Sequence, residues 1–219
     1  MTFSGTLLLG LAMAILIGVS LGLLGGGGSI LTVPILVYVL ELGTHEAIAT
    51  SLLVVAVTSA AALVPHARGG RVRWKTGVVF GATAMVGAYA AGRVAHFIPG
   101  VVLLIAFGAM MLATAGAMFR GRRAPAKADE GPQKLPVVKI VLEGLAVGAV
   151  TGLVGAGGGF LVVPALVLLG GLSMQEAVGT SLLVIALKST AAFAGYLGST
   201  NIDVGLAAMV TIAAIVGSI

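Results

Sequence analysis

The sequence contains no cysteine, which excludes structural disulfides, thiolate metal sites and any cysteine nucleophile while leaving the redox compartment open. Charge is scarce too. Charged residues make up 9% of the 219 positions and hydrophobic residues 59%, so there is far too little polar surface to cover a soluble globule, and lipid must be the solvent. Signatures of catalysis are also missing. No GxSxG elbow and no HExxH pair occurs, and the aspartates do not pair inside an apolar run, since Asp129 falls in a charged linker and Asp203 at the start of a run. His45, His66 and His96 are scattered without metal-ligand spacing. The chain is expected to be no enzyme and to carry no metal or other cofactor.

What the chain does have is a series of apolar stretches separated by short Gly, Pro or charged breaks. Roughly 20 apolar residues suffice to cross the hydrocarbon as a helix, so several spans are expected. Runs such as ILTVPILVYVL from Ile30 and VVLLIAFGAMMLATAGAMF from Val101 are continuously apolar, which excludes the alternating strands of a membrane β-barrel. The expectation is an all-α, multi-pass protein of the cell (inner) membrane. The run from Thr6 to Leu24 has no basic stretch before it and no small-residue cleavage site after it, so it reads as a retained helix rather than a signal peptide.

The formal net charge of +5 invites a nucleic-acid reading, but ten of the twelve Lys and Arg residues lie in two short clusters. These are Arg68, Arg71, Arg73 and Lys75, then Arg120, Arg122, Arg123, Lys127, Lys134 and Lys139. Short loops rich in Lys and Arg stay cytoplasmic, so both clusters are expected on the inner side, and no nucleic-acid partner is expected.

Shifting the sequence by 130 positions lays GVSLGLLGGGGSILTVPILV from Gly18 on GAVTGLVGAGGGFLVVPALV from Gly148, and EAIATSLLVVAVTSAAAL from Glu46 on EAVGTSLLVIALKSTAAF from Glu176. Internal symmetry of this kind characterises secondary transporters. The organisation read from it is a first transmembrane unit over 1–119, a cytoplasmic linker over 120–136, and a second unit over 137–219. The counterpart of Ala90 to Phe119 would lie beyond Ile219, so the second unit is expected to lack its last segment. If every run crosses, unit one has five crossings and the two homologous repeats are inverted. The short pieces, Ser29 to Leu40 and Phe160 to Leu169, rise only about 18 Å or less at 1.5 Å per residue. Broken or re-entrant helices are therefore expected, and re-entry would leave a parallel symmetry open.

The glycine clusters GLLGGGGS and GLVGAGGG interrupt apolar sequence at matching positions, where each Gly weakens a helix by about 1 kcal/mol. A helix restarting after such a break presents free N–H groups and the positive end of its dipole, which suits an anion. Close helix packing is the plainer use of small residues. Gly25, Gly26, Gly27, Gly28 and Ser29, with Gly155, Gly157, Gly158 and Gly159, are the backbone candidates for a substrate site. Thr50 and Ser51, with their mates Thr180 and Ser181, add hydroxyls, although such groups often bond back to their own helix. Lys188 stands in the middle of SLLVIALKSTAAFAGY, where an unpaired cation costs at least roughly 2.5 kcal/mol. It is the candidate partner of the anion's charge; pairing with a carboxylate or snorkelling along its stem is the plainer alternative. Pro34 and Pro164 are expected to shape the short pieces. Glu46 and Glu176 are expected to cap helix starts, Glu176 through the box Ser173-Met-Gln-Glu176, and His66 to anchor at the interface.

With these motifs assembled, GLLGGGGSILTVPIL, EAIATSLL, GLVGAGGGFLVVPAL and EAVGTSLLVIALKS resemble those of the TauE/SafE sulfite-exporter family of membrane permeases. The resemblance implies transport of sulfite, a sulfonate or a related sulfur-containing organic acid or oxyanion, without ATP, with protons as the candidate coupling ion. A passive anion channel built from the same parts is the competing class.

Overall fold

The computed structural model describes residues 3–24, 29–121, 137–154, 159–168, 171–200 and 202–218. Among the described residues every regular element is an α-helix: α1 Phe3–Leu24, α2 Ser29–Tyr38, α3 Thr44–Arg68, α4 Trp74–Ala95, α5 Gly100–Gly121, α6 Val137–Val154, α7 Gly159–Leu168, α8 Met174–Tyr196 and α9 Val204–Ser218. Helix boundaries obey the offset of the sequence repeat. α2, α3 and α4 begin at Ser29, Thr44 and Trp74, and α7, α8 and α9 begin 130 positions later at Gly159, Met174 and Val204. α1 and α6 end at Leu24 and Val154, and the two glycine clusters, 25–28 and 155–158, lie outside the described residues.

Three described helices, α3, α4 and α8, are long and apolar enough to cross a membrane, and α3 and α8 form the centre. Their apolar windows are 67% and 72% buried inside the protein, against 44% for α4. Leu21 of α1, Val55 and Ala62 of α3, and Leu182 and Ile185 of α8 share one buried cluster. Outward faces carry Val78, Val86, Val101, Ile105, Leu112 and Ile212, all exposed, as expected where lipid rather than water covers the surface.

Glycines set how closely the remaining helices approach. A Cβ at Gly148 or Gly152 of α6 would collide with the backbone of Ala84 or Ala88 of α4. A Cβ at Gly18 or Gly22 of α1 would collide with the backbone of Ala214 or Ser218 of α9. These four contacts interchange when 130 is added or subtracted. The first helix of each sequence unit thus lies against the fourth helix of the other, backbone to backbone, as small residues allow in lipid.

The same contacts give directions. Along α4, Gly77, Gly81 and Gly92 face Thr180, Leu187 and Ala192 of α8 in ascending order, so α4 and α8 run the same way. α3 reaches α4 through the short turn 69–73 and runs the opposite way; α3 and α8 are antiparallel. The start of α5 returns beside the start of α3, with Gly100 against Thr44. The first basic cluster lies at the turn after α3, and α5 leads back toward that end.

Short α2 and α7 each contain a proline as their sixth residue, Pro34 and Pro164, and each ends four residues later. Each proline removes one intrahelical bond, to the carbonyl four residues before it, from an already short helix. The sequence-predicted capping box is present on α8: the Ser173 side chain accepts from the Glu176 N–H at 3.4 Å, and the Ser173 N–H donates to Glu176 Oε2 at 3.2 Å. α3 departs from the expectation for Glu46. Its N-cap is Gly43, with no side-chain cap bond, because glycine has no hydroxyl with which to close a box.

Candidate functional site

α3 and α8 bury polar residues at matching positions in an otherwise apolar core. On α3 these are Thr50, Ser51, Thr58 and Ser59; on α8 they are Thr180, Ser181, Lys188 and Ser189. Most hydroxyls in the bundle return their proton to their own helix. Ser51 donates to Ile48 O at 2.9 Å, Ser181 to Val178 O at 2.8 Å, and Thr58 to Val54 O at 2.7 Å. This is the ordinary local behaviour of Ser and Thr, and it leaves their lone pairs able to accept.

Lys188 is 1% exposed, so its stem does not carry the ammonium out to water. Nζ donates to Thr151 Oγ1 of α6 at 2.7 Å, and Thr151 donates onward to Val147 O at 2.7 Å. The ammonium has three N–H donors, and Thr151 receives one of them. Among the described residues the recorded ion pair is Arg73 with Glu176, and no carboxylate reaches Lys188. Beside it, Ser189 Oγ is buried with no hydrogen-bond partner, although a carbonyl of its own helix would be the usual acceptor. Leu52 of α3, Ala88 of α4, Thr151 and Gly152 of α6, and Ala192 of α8 close around the two residues. The space between them admits no water molecule.

Two further polar contacts tie the long helices to the ends of α1 and α6. His66 Nε2 lies 3.2 Å from Gly22 O, and Tyr196 Oη donates to Leu153 O at 2.9 Å. His66 and Tyr196 are 130 positions apart, and each meets a carbonyl in the last turn of a helix, where no intrahelical donor remains. His66, expected to anchor at the interface, contacts the helix that leads into the first glycine cluster.

Of the sequence-predicted site residues, Ser29 and Gly159 are the buried first residues of α2 and α7. Ile30 and Leu161, near those helix starts, pack on the same pair, Phe107 and Val154, which brings the two starts together. Gly25, Gly26, Gly27, Gly28, Gly155, Gly157 and Gly158 lie outside the described residues. Thr50, Ser51, Thr180, Ser181 and Lys188 are all buried. Thr180, however, accepts a hydrogen bond from the Arg73 N–H at 2.9 Å. It stands eight residues before Lys188, about 12 Å along the helix, and belongs with the turn after α3. Sequence reasoning did not single out Thr151, Ser189 or Tyr196. Ser189 had a legible signal, since Ser59 is its identical repeat mate; Thr151 had none, because its equivalent is Leu21.

The chain matches the Sulfite exporter TauE/SafE family over residues 10–219. It belongs to that family. A TauE/SafE relative from Xylella fastidiosa (strain Temecula1), named a probable membrane transporter protein, is 39% identical over 172 residues, covering 78% of this chain and 66% of that protein. The probable membrane transporter protein YdhB of Bacillus subtilis is 28% identical over 205 residues, covering 93% of this chain and 84% of its own. The probable membrane transporter protein MJ0441 of Methanocaldococcus jannaschii is 30% identical over 200 residues, covering 87% and 73%. No solved structure matches the chain. The names across this family are those of transporters and not of enzymes.

Proposed function

We propose that this TauE/SafE chain moves a small anion across the cell membrane as a secondary transporter, with sulfite, a sulfonate or a related sulfur-containing oxyanion as cargo and a proton gradient as driving force. The observation that supports it most is the buried ammonium of Lys188, which lies where α3, α4, α6 and α8 meet and has a hydroxyl but no carboxylate as partner. A cation retained at such depth is costly, and in membrane helices it marks a substrate or ion pathway. An anion beside it would supply the missing counter-charge. In this reading the helix starts at Ser29 and Gly159 and the glycine stretches before them contribute neutral donors around the same anion. Thr50, Ser51 and Ser181 join them once the serine protons turn away from their own helices, and Thr180 lies toward the inner exit.

Antiparallel α3 and α8, with contacts that interchange at an offset of 130, support two inverted units that rock against each other to expose the site alternately. The lack of room for water around Lys188 favours this over a passive anion channel, which needs a continuous wet path. Uptake of radiolabelled sulfite and methanesulfonate into proteoliposomes tests the proposal. Saturable uptake driven by an imposed gradient, and lost in Lys188→Met, is the expected result. Flux that stays linear in concentration would replace the transporter with the channel.

A further inference from the structure

Ten of the twelve Lys and Arg residues lie in the two clusters, and the other two are Lys188 and Arg93. Arg93 stands in the last turn of α4, at the end of the bundle opposite the basic turn 68–75. Basic residues concentrate on the inner side of membrane proteins, so one retained at the far end calls for a partner. Among the described residues no carboxylate pairs with it. α4 and α8 cross beside it: a Cβ at Gly92 would collide with Ala192 O, and one at Gly195 with Tyr89 O. Beyond that crossing lies a recess of about 520 Å³, lined by Arg93, His96 and Phe97 after one helix and by Gly195, Gly198 and Ser199 after the other. Its size is that of a small-molecule site. Gly198 keeps it open, since a Cβ there would meet only Arg93 Nη1, at 3.7 Å.

The two walls differ in chemistry. The α4 wall donates: a guanidinium has five N–H groups, and the His96 ring offers at least one in either tautomer. The α8 wall accepts. The last carbonyls of a helix lack intrahelical donors and carry its negative dipole end. α4 sets Arg93 against its own end, whereas α8 has no basic residue in its last turn. The Ser199 hydroxyl gives its proton to Tyr196 O at 3.1 Å, which leaves its lone pairs to accept. Phe97 in the lining is 76% exposed, and Val94 and Leu197, the chain neighbours of Arg93 and Gly198, are exposed too.

We infer that this recess seats the headgroup of a zwitterionic aminophospholipid, with the phosphate on Arg93 and His96 and the primary ammonium on Ser199 and the end of α8. A simple anion would leave the accepting wall unpaired, and a simple cation would leave the guanidinium so. A ligand carrying both signs satisfies both walls, and a primary ammonium brings N–H donors that a quaternary one lacks. The exposed apolar residues beside the recess favour a lipid over its free headgroup, because acyl chains can lie against them. Held there, one lipid ties α4 to α8 beyond the glycine crossing. The inference is independent of what Lys188 binds.

The purified full chain, stripped of lipid in detergent, is titrated with phosphatidylethanolamine, phosphatidylcholine and phosphatidylglycerol of identical short acyl chains, and with soluble phosphoethanolamine. The readout is the thermal unfolding midpoint, which a ligand of the folded state raises. Phosphatidylethanolamine is expected to act at the lowest concentration, and the other three ligands only at concentrations at least about tenfold higher. Arg93→Gln removes an exposed charge, and Gly198→Leu fills the recess from an open turn, so both should fold. Each should shift the phosphatidylethanolamine titration at least about tenfold. Phosphatidylglycerol acting as well as phosphatidylethanolamine would overturn the zwitterionic assignment, and phosphoethanolamine acting as well would overturn the lipid as its source. An unchanged titration in both variants, or no response to phosphatidylethanolamine, would overturn the site itself. None of these outcomes touches anion uptake through Lys188, which is read separately in proteoliposomes.

Discussion

α3 and α8 are the same helix written twice, and they differ where it matters chemically. Both are antiparallel central helices, both begin with an acidic residue in the first turn, and both bury Thr-Ser pairs at matching positions. At the next buried polar position α3 carries Thr58, whose hydroxyl is satisfied by Val54 O of its own helix. α8 carries Lys188, which must leave its helix to find Thr151. The facing residue on α1 at that level of the repeat is Leu21, fully buried. The two unshared residues, Lys188 and Thr151, thus meet on one side of the bundle, beside a serine, Ser189, that both halves carry. A symmetric scaffold can carry a single charge without needing its mirror image.

The largest effect should come from erasing that difference. Lys188→Thr makes α8 match α3, and the new hydroxyl can bond back to Val184 O as Thr58 does to Val54 O. Losing a buried charge from a bound pair costs about 2–5 kcal/mol, so anion flux in proteoliposomes should fall by at least about 30-fold. Stability should hold or rise, because an expensive buried cation has gone. Full flux in this variant would show that the asymmetry is incidental.

Next comes the packing that both halves share. Gly148→Val and Gly18→Val each place a side chain into the backbone of a neighbouring helix, at Ala84 and Ala214 respectively. Overpacking of this kind costs about 1–3 kcal/mol, and thermal unfolding of the two variants should show losses of similar size. A large loss at one and none at the other would break the equivalence of the α1–α9 and α4–α6 contacts.

How far these features were legible in the sequence follows from where their causes lie. Helix boundaries were readable to within a few residues, because Gly clusters, prolines and basic runs interrupt apolar sequence locally. Lys188 was readable because a charge in an apolar run has no local explanation. Thr151 was not, since a threonine in an apolar helix ordinarily serves its own backbone, and only the docking of α6 against α8 turns its lone pair toward Lys188. Thr180 was read as a ligand residue from its repeat mate Thr50, but the fold seats the α3–α4 turn on it: Gly179 packs against the backbone of Arg71, and the Arg73 N–H takes the Thr180 hydroxyl. That contact joins residues 107 positions apart, and no local pattern encodes it.

A smaller effect tests the polar contacts at the ends of α1 and α6. Tyr196→Phe keeps the ring and removes the bond to Leu153 O, which should cost about 1 kcal/mol, read as a lower unfolding midpoint with flux retained. The same loss at His66→Phe would show that the two capping contacts are alike in energy although a histidine makes one and a tyrosine the other.

The smallest effect belongs to the ion pair at the start of α8, where α8 differs from α3 in a way that should matter little. Arg73 and Glu176 approach to 2.7 Å, but their side chains are 62% and 26% exposed. Exposed pairs contribute about 1 kcal/mol or less. Glu176 also closes the capping box with Ser173, and glutamine can fill that role as well, so Glu176→Gln separates the two functions. It removes the charge, keeps the cap, and should lower the unfolding midpoint only slightly, by an amount that shrinks further as salt is added. Glu176→Ala loses both and should cost more, by about the 1 kcal/mol typical of a cap. If glutamine is as damaging as alanine, the charge and not the cap holds the start of α8 to the turn after α3, and the starts of the two central helices differ in more than their caps.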